Sequence, residues 1–427
     1  MTSARNVSIL AAVGDCANVG IDTATRASTA PTVRQDKFNI MDIFFVAHGR
    51  GRTLSQTPDC ADNRCRDRCC GAACPLRNQR IHYQTRCFQR RSTLLNNPAN
   101  TTNDAPLPVI ALDALCFVGH ELVRPECVLA TLAGAIHTAD WRGGVASTMP
   151  NGTSMLIRGA LPAGRPLRPN GIALRRDGSF LLADLGESRG GVFSLSRAGT
   201  VTPLVEHVDG FDLPPTNFVF EDDRDRVWIT VSTRQVPRAA AYRADVADGF
   251  IVLVDHRGAR IVADGLGYTN EAMIAPDGRW LYVNETFSRR LSRFALRHDG
   301  SLGTREVVTT FGHGTYPDGL AFDAEGHVWI TSIVSNRVLR VAPDGATTLI
   351  LEDADPAHVD WCEAAYCAGE LGRPHLDHAA GRVLRNISSL AFGGPDLRTA
   401  YLGCLLGDAI ASFRAPVAGH PPFHWHY

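Results

Sequence analysis

Six oxygen-bearing side chains recur at equivalent places in successive repeats of the chain. Two are carboxylates, three are amides and one is a hydroxyl: Glu126, Asn170, Asn217, Asn270, Asp318 and Ser388. None of them offers sulfur or imidazole. Hard cations such as calcium take about six to eight oxygen ligands, among them Asp, Glu and Asn side chains. If the fold brings these positions together, the set predicts a site for a divalent metal, with calcium as the first candidate.

A second interpretation of the same residues is structural. Asn and Asp routinely hold turns at the beginnings of strands by hydrogen-bonding the local backbone. For any one of the six positions this explanation competes with metal binding. The recurrence of oxygen donors at all six favours metal binding, provided that the repeats place them at one level of the fold.

The six positions mark the beginnings of six repeats. Each repeat continues as a short apolar run, turns, returns as a second apolar run and then forms another hairpin. Five of the first turns lie at Ala133-Gly134, Asp177-Gly178, Asp225-Arg226, Asp277-Gly278 and Glu325-Gly326. Four short strands at a period of about 45 residues are typical of propeller blades. The sequence therefore predicts an all-β fold, a six-bladed β-propeller with four-stranded blades, over residues 106–427.

The propeller is what would position the six side chains. The innermost strand of each blade lines the central channel, so equivalent residues of the repeats lie at the same height around the axis. We call this predicted level the ring. An insertion, residues 352–386, separates the fifth repeat from the sixth. It either covers the pocket as a lid or lies on the surface as a loop.

Several segments resemble the regucalcin and gluconolactonase (senescence-marker-protein/gluconolactonase-like) family. They are Pro125-Glu126-Cys127, Thr216-Asn217, Thr269-Asn270 and the stretch from Tyr316-Pro317-Asp318-Gly319 to Trp329. The resemblance implies a six-bladed propeller that hydrolyses lactones with one catalytic Ca²⁺, often replaceable by Zn²⁺, Mn²⁺ or Mg²⁺. Carried over by position, it also implies four metal ligands: Glu126, Asn217, Asn270 and Asp318.

Three positions depart from the family pattern. An acid commonly follows the third-blade amide, where this chain has Phe218, and an Arg commonly precedes that amide by two residues, where it has Pro215. Gly commonly follows the fourth-blade amide, and here the residue is Glu271. We therefore expect an intact metal site with altered substrate specificity, favouring a less polar lactone or ester.

The hypothesis for the reaction is attack of water on a metal-bound carbonyl, with the metal as a Lewis acid. Asp318 is the candidate to accept the proton of the water, and the alternative is that the metal alone lowers the pKa of the water. Asn170, Arg142 and Arg189 are the candidates for binding a small lactone or ester substrate.

Two other functional classes remain open. One is a propeller that binds a ligand or a protein without chemistry and holds a structural calcium. The other is a strictosidine-synthase-like propeller, which condenses its substrates and lacks the metal. The presence of both carboxylates in the predicted ring favours the hydrolase.

Composition excludes several partners. The formal net charge is −1 over 427 residues, without a Lys/Arg block that would favour nucleic acid or an anionic membrane. No apolar run reaches the roughly 18 residues of a membrane span, and we expect a cytoplasmic protein. Residues 1–105 are Cys- and Arg-rich without sustained periodicity, so we expect a disordered N-terminal extension.

Overall fold

Six separate four-stranded antiparallel sheets form the part of the chain that the computed structural model describes, residues 107–161 and 164–427. This arrangement confirms the predicted six-bladed β-propeller. The predicted N-terminal extension lies outside the described residues and stays a prediction. Among the described residues, no helix is both long and apolar enough to cross a membrane.

The first strand of the described chain, β1 (Cys116–Val118), belongs to the last blade. The first blade consists of β2 (Val128–Ala130), β3 (Ile136–Asp140), β4 (Gly144–Thr148) and β5 (Ser154–Arg158). The second consists of β6 (Pro169–Leu174), β7 (Phe180–Asp184), β8 (Gly191–Leu195) and β9 (Val201–Val205). A short ribbon follows it, made of β10 (His207–Val208) and β11 (Phe211–Asp212).

The remaining blades follow the same plan. The third consists of β12 (Thr216–Glu221), β13 (Val227–Val231), β14 (Gly249–Asp255) and β15 (Gly258–Leu266). The fourth consists of β16 (Thr269–Ile274), β17 (Trp280–Glu285), β18 (Arg290–Leu296) and β19 (Leu302–Thr310). The fifth consists of β20 (Thr315–Phe322), β21 (Val328–Val334), β22 (Arg337–Val341) and β23 (Thr347–Glu352). The chain adds three strands to the sixth, β24 (Ile387–Gly393), β25 (Thr399–Cys404) and β26 (Ile410–Arg414).

The sixth blade is completed by a strand from the other end of the propeller. Strand β1 pairs antiparallel with β26, from Cys116 opposite Ser412 to Val118 opposite Ile410. This pairing joins the beginning and the end of the propeller in one sheet. Closing the circle in this way brings equivalent residues of all six inner strands around one axis.

A one-residue β-bulge interrupts the inner strand of blades two to six next to the ring. In the third blade Thr216 pairs with Val231 but Phe218 pairs with Thr230, so Asn217 is the extra residue. The same shift in register occurs beside the ring positions of the other four blades, Asn170, Asn270, Asp318 and Ser388. Because a bulge redirects the side chains on either side of it, the ring residue and its successor no longer follow simple alternation.

Two glycines that follow ring positions are required by the closeness of neighbouring inner strands. A Cβ on Gly171 would lie 2.6 Å from the Cα of Phe218, and one on Gly319 would lie 2.4 Å from the carbonyl oxygen of Ser388. No side chain fits at either place. The Pro-Asn-Gly and Pro-Asp-Gly segments of the sequence therefore combine a ring residue with a site of close strand contact.

The insertion between the fifth and sixth blades is helical and was not predicted as such. It contains α1 (Pro356–Ala368) and α2 (Arg373–Asp377). The Asp355 carboxylate caps the first turn of α1 by accepting from the Ala357 backbone N–H, and Gly369 ends the helix with φ 70°. Both are standard helix-boundary signals that the β-repeat pattern obscured.

The insertion packs against the propeller. Val359 and Cys362 of α1 lie in one apolar cluster with Tyr268, Phe287 and Tyr316. Tyr268 directly precedes β16, which carries Asn270, and Tyr316 lies two residues before Asp318 on β20. Of the two interpretations offered by the sequence, the structure therefore favours a cover over the ring end of the channel.

A buried aspartate holds the first turn in two of the blades. Asp323 accepts hydrogen bonds from two N–H groups of its own turn, from Trp329 Nε1 (3.0 Å) and from Arg340 Nε (2.7 Å). Asp222 accepts in the same way from its turn and from Trp228 Nε1 (2.8 Å). Each carboxylate ties a turn to a fully buried tryptophan of the next strand.

We expect the substitution Asp323→Ala to lower the free energy of unfolding by about 3–5 kcal/mol, because it removes the acceptor of the Arg340 Nε–H, of a buried indole N–H and of two backbone N–H groups. Urea denaturation measures the change. The matched control is Asp277→Ala, since Asp277 forms an exposed turn bond and a surface ion pair with Arg279. We expect the control to change stability by less than about 1 kcal/mol. Equal losses in the two variants would contradict the role of Asp323.

Candidate metal centre

The structure brings five of the six predicted ring side chains to one end of the channel. Each lies within the first half of an inner strand or, for the first blade, two residues before it, and each is buried: Glu126, Asn170, Asn217, Asn270 and Asp318. The sixth, Ser388, donates its hydroxyl hydrogen to the carbonyl oxygen of Glu126 (2.9 Å). That bond joins the last blade to the first, so Ser388 supports the ring from the backbone side.

The three amides form a continuous chain across blades two, three and four. Asn170 Nδ2 donates to Asn217 Oδ1 (3.1 Å), and Asn217 Nδ2 donates to Asn270 Oδ1 (2.6 Å). Asn270 Nδ2 ends the chain by donating to Thr286 Oγ1 (3.0 Å), whose own hydrogen goes to the Pro317 carbonyl (2.8 Å). Each amide is thus oriented by its neighbour.

The two ring carboxylates interact electrostatically, and the charges of Arg124 and Arg238 offset this interaction only in part. No donor among the described residues hydrogen-bonds the Asp318 carboxylate. Burial raises the pKa of Asp318 well above its usual range, and the charges of Glu126 and Glu271 raise it further. A buried carboxylate without donors, next to a second one, is costly unless a cation accompanies it.

A third carboxylate, Glu271, lies just below the ring. Its Oε2 accepts the backbone N–H of Leu320 (2.8 Å). Burial raises the pKa of Glu271 to about 8, opposed by hydrogen bonds from Leu320 and Ser389 and assisted by the charge of Glu126. This residue stands where the family pattern has Gly, and the sequence alone did not indicate that its side chain enters the channel.

One arginine already occupies the carboxylate side of the ring. Arg124 Nη2 lies 2.7 Å from Glu126 Oε2, in an ion pair that lacks hydrogen-bond geometry, and 3.4 Å from Asn170 Oδ1. The guanidinium stacks over the Trp141 ring at 4.3 Å. Its Nε is buried without a partner. Sequence analysis missed Arg124, although it stands two residues before a ring position.

A second arginine reaches the amide side of the ring. Arg238 Nη2 donates to Asn217 Oδ1 (2.9 Å) and to Ser232 Oγ (3.0 Å), and its Nε is buried without a partner. It belongs to a short 3-10 helix, Arg238–Ala241, in the long loop of the third blade. The contact between Arg238 and Asn217 could not be predicted from the sequence, because it depends on how this loop folds back over the channel.

The two arginines chosen from the sequence have other partners. Arg142 forms a double hydrogen bond with the buried carboxylate of Asp140 (2.8 and 2.7 Å). Arg189 pairs with Asp212 at the exposed edge of the second blade (2.6 Å). Neither guanidinium contacts a ring residue in the part of the chain that the structure describes.

The donor set suits a hard cation. Within residues 107–161 and 164–427, no three His, Cys, Asp or Glu side chains are arranged to hold a metal ion. The candidate set instead combines the carboxylates of Glu126 and Asp318 with the amide oxygens of Asn217 and Asn270, all of them hard oxygen donors. The Asp318 carboxylate, which accepts no hydrogen bond from a described residue, is the feature that fits a bound cation best.

A cavity of about 640 Å³ adjoins this end of the channel; we call it the upper cavity. Its polar lining comprises Arg124, Trp141, Arg373, Asp377, Arg385 and Asp408. Arg373 pairs with Asp377, whereas the partners of Arg385 among the described residues are backbone carbonyls. Since Arg124 lines both this cavity and the ring, a substrate in the cavity would lie next to the ring.

The sequences of known lactonases are similar to this chain over much of the propeller. Residues 131–354 match the family model described as SMP-30/Gluconolactonase/LRE-like region. The chain is 30% identical over 276 residues to a 6-deoxy-6-sulfogluconolactonase of Pseudomonas putida, covering 64% of this chain and 76% of the relative. It is 25% identical over 244 residues to the pentonolactonase XacC of Haloferax volcanii, covering 57% and 69%.

A solved structure shares the same architecture. The calcium-binding protein regucalcin of Agrobacterium tumefaciens superimposes with a TM-score of 0.51 at 18% identity, covering 71% of this chain and 96% of that one. At that identity the likeness concerns the fold. The match to the family model and the similarity to the Pseudomonas relative, together with the six blades, show that the chain belongs to the SMP-30/gluconolactonase/LRE-like family.

Proposed function

We propose that this protein is a metal-dependent lactonase, which opens cyclic esters with water at the ring end of the channel. The observation that carries the proposal is the buried pair of Glu126 and Asp318, of which Asp318 has neither a hydrogen-bond donor nor an ion-pair partner among the described residues. The proposed metal is Ca²⁺, replaceable by Zn²⁺, Mn²⁺ or Mg²⁺. The proposed ligands are Glu126, Asn217, Asn270 and Asp318.

Charge balance supports this assignment. Two carboxylates in a buried site repel each other and disfavour ionisation, and a divalent cation held by both would offset these two penalties. Four protein oxygens leave room for water and a substrate oxygen in the coordination of calcium. The chain of amide hydrogen bonds limits the freedom of Asn217 and Asn270 before any ion arrives.

When bound, the ion would supply a Lewis acid for the lactone carbonyl. Asp318 is the proposed proton acceptor for the attacking water. As the water oxygen bonds to the carbonyl carbon, its proton passes to Asp318, and the ring C–O bond then breaks. The same proton passes to the departing alkoxide, which leaves a hydroxy acid and an ionised Asp318. Asn170 is proposed to orient the substrate from its place between Arg124 and Asn217.

The arginines near the ring suggest the substrate class. Pro215 and Phe218 stand where the family pattern has charged residues, so a less polar substrate was expected from the sequence. Arg124 and Arg238 instead place two positive charges at the ring. Arg385 adds a guanidinium without a carboxylate partner in the upper cavity. The Pseudomonas relative is named for a sulfo-substituted gluconolactone and the Haloferax relative for a pentonolactone. We therefore propose a sugar-type lactone that carries an anionic substituent.

The first test is metal-dependent turnover of a lactone panel by the full chain after treatment with a chelator. We expect added calcium to restore hydrolysis, and Asp318→Asn to lower kcat at least about 1,000-fold because it removes a ligand and a proton acceptor together. Asp299→Asn, in an exposed turn, is the control and should keep full activity. Calcium binding without turnover on any lactone would indicate a binding propeller, and absence of calcium binding would overturn the proposed site.

The second test concerns the ion pair between Arg124 and Glu126. We expect Arg124→Gln to bind calcium about tenfold more tightly by titration calorimetry, because the substitution removes a positive charge that competes for the same carboxylate. Arg142→Gln is the matched control, since Arg142 pairs with Asp140 (2.7 Å) instead. An equal change in both variants, or no change in Arg124→Gln, would argue against a cation site at Glu126.

The third test concerns the substrate class. We expect Arg385→Gln to lower kcat/KM about tenfold for a gluconolactone with a 6-sulfo group, because a cation facing the anionic group is lost. Hydrolysis of unsubstituted gluconolactone should stay within twofold. Arg189→Gln, at an exposed ion pair, is the control. A similar loss on both substrates would contradict the assignment of an anionic substituent.

A further inference from the structure

We propose that the other half of the central channel is a second binding site, for a small amphipathic carboxylate with an apolar body. A cavity of about 420 Å³ extends from just below the ring to the opposite end of the channel. We call it the lower cavity. Its walls come from the inner strands of all six blades, and its lining is separate from the five buried ring residues.

The walls of the lower cavity are apolar and rigid. They include Leu129, Leu174, Phe220, Ile274, Phe322 and Leu390, each on the inner strand of a different blade. Protein interiors contain few voids larger than a water molecule, because surrounding side chains collapse into them. Here the inner strands are held apart by six sheets, so collapse is prevented and the space suits an apolar ligand of moderate size.

The C-terminal residues 415–427 form one side of the mouth. The backbone N–H of His420 donates to the Phe322 carbonyl (2.8 Å), and the Trp425 carbonyl accepts from Leu132 (2.9 Å). These bonds fix the segment across two blades. They also bring His424 to the cavity, where its Nε2 is buried and has no hydrogen-bond partner among the described residues. As the tautomer protonated at Nε2, this ring would donate a hydrogen bond to a ligand oxygen.

The charges at the mouth favour an anion. Arg224 donates to the His298 carbonyl (3.0 Å) and Arg297 donates to Ser301 Oγ (3.4 Å), so neither has a carboxylate partner in the described chain. Asp223 is a carboxylate at the same mouth. Two acids near it are already paired, since Glu221 binds Arg175 (2.7 Å) and Asp222 binds Arg226 (2.7 Å). The unpaired guanidinium groups therefore outnumber the unpaired acid.

Polarity along the cavity sets the orientation of the ligand. Glu271 and Ser389 lie at the inner end, below the ring. A carboxylate group there would face Glu271, whereas at the mouth it meets Arg224, Arg297 and His424. The ligand is therefore expected to enter with its apolar body inward and to leave its carboxylate at the mouth. A cationic amphiphile of the same length would lack that charge pairing.

Decanoate is the probe for this site, compared with decan-1-ol and decyltrimethylammonium by titration calorimetry on the full chain. We expect decanoate to bind at least tenfold more tightly than either analogue. The double variant Arg224→Glu/Arg297→Glu should weaken decanoate binding at least tenfold. Arg189→Glu, which reverses an exposed charge at a residue that does not line the lower cavity, should leave it unchanged. Similar binding of all three probes would overturn the proposal, because it would indicate adsorption to apolar surface.

Two further variants separate the lower cavity from the ring. Ala391→Phe places a bulky group in the cavity lining and should abolish decanoate binding, while retained lactone turnover would show that the variant is folded. Asp318→Asn should leave decanoate affinity unchanged. Loss of decanoate binding in Asp318→Asn would place the ligand at the ring and refute a separate site. Failure of lactone turnover in the unaltered protein would refute the proposed function without affecting this result.

Discussion

The buried pair of carboxylates near the propeller axis is the constraint on which the rest of the site depends. Glu126 and Asp318 come from blades one and five, and the charge of the first raises the pKa of the second. Two such groups in a buried site stay ionised together only when a cation reduces their repulsion. Arg124 does so in part from one side, but it contacts Glu126 and leaves Asp318 without a donor. The two carboxylates therefore keep negative charge that an additional cation would offset.

The repeat could be predicted from the sequence because each blade uses the same local signals. Turn residues such as Asp277-Gly278 and Glu325-Gly326, with apolar runs on either side, define hairpins without reference to the rest of the fold. The register of the ring follows from the circular closure, so the convergence of Asn170, Asn217 and Asn270 was also accessible. The closure by β1 was not, since a three-residue strand carries no distinctive pattern.

The substrate-facing arginines could not be predicted, for a different physical reason. Arg142 and Arg189 were chosen because they follow second strands, yet each has a closer acid, Asp140 or Asp212. Arg238 reaches the ring only because its loop folds back over the channel, and the insertion that packs beside that loop contributes α1. Contacts of this kind depend on long-range packing, which local periodicity does not encode.

The bulges also change how the departures from the family pattern should be interpreted. Phe218 and Glu271 directly follow ring residues, and a bulge separates the directions of such neighbours. Both line the lower cavity, whereas Asn217 and Asn270 meet at the ring. Substitution at these two positions therefore alters the apolar half of the channel more directly than the substrate side. Differences in lactone specificity should then be sought in the loops around the upper cavity, where Arg385 lies. Phe218 and Glu271, the residues that follow ring positions, should instead determine which ligands the lower cavity binds.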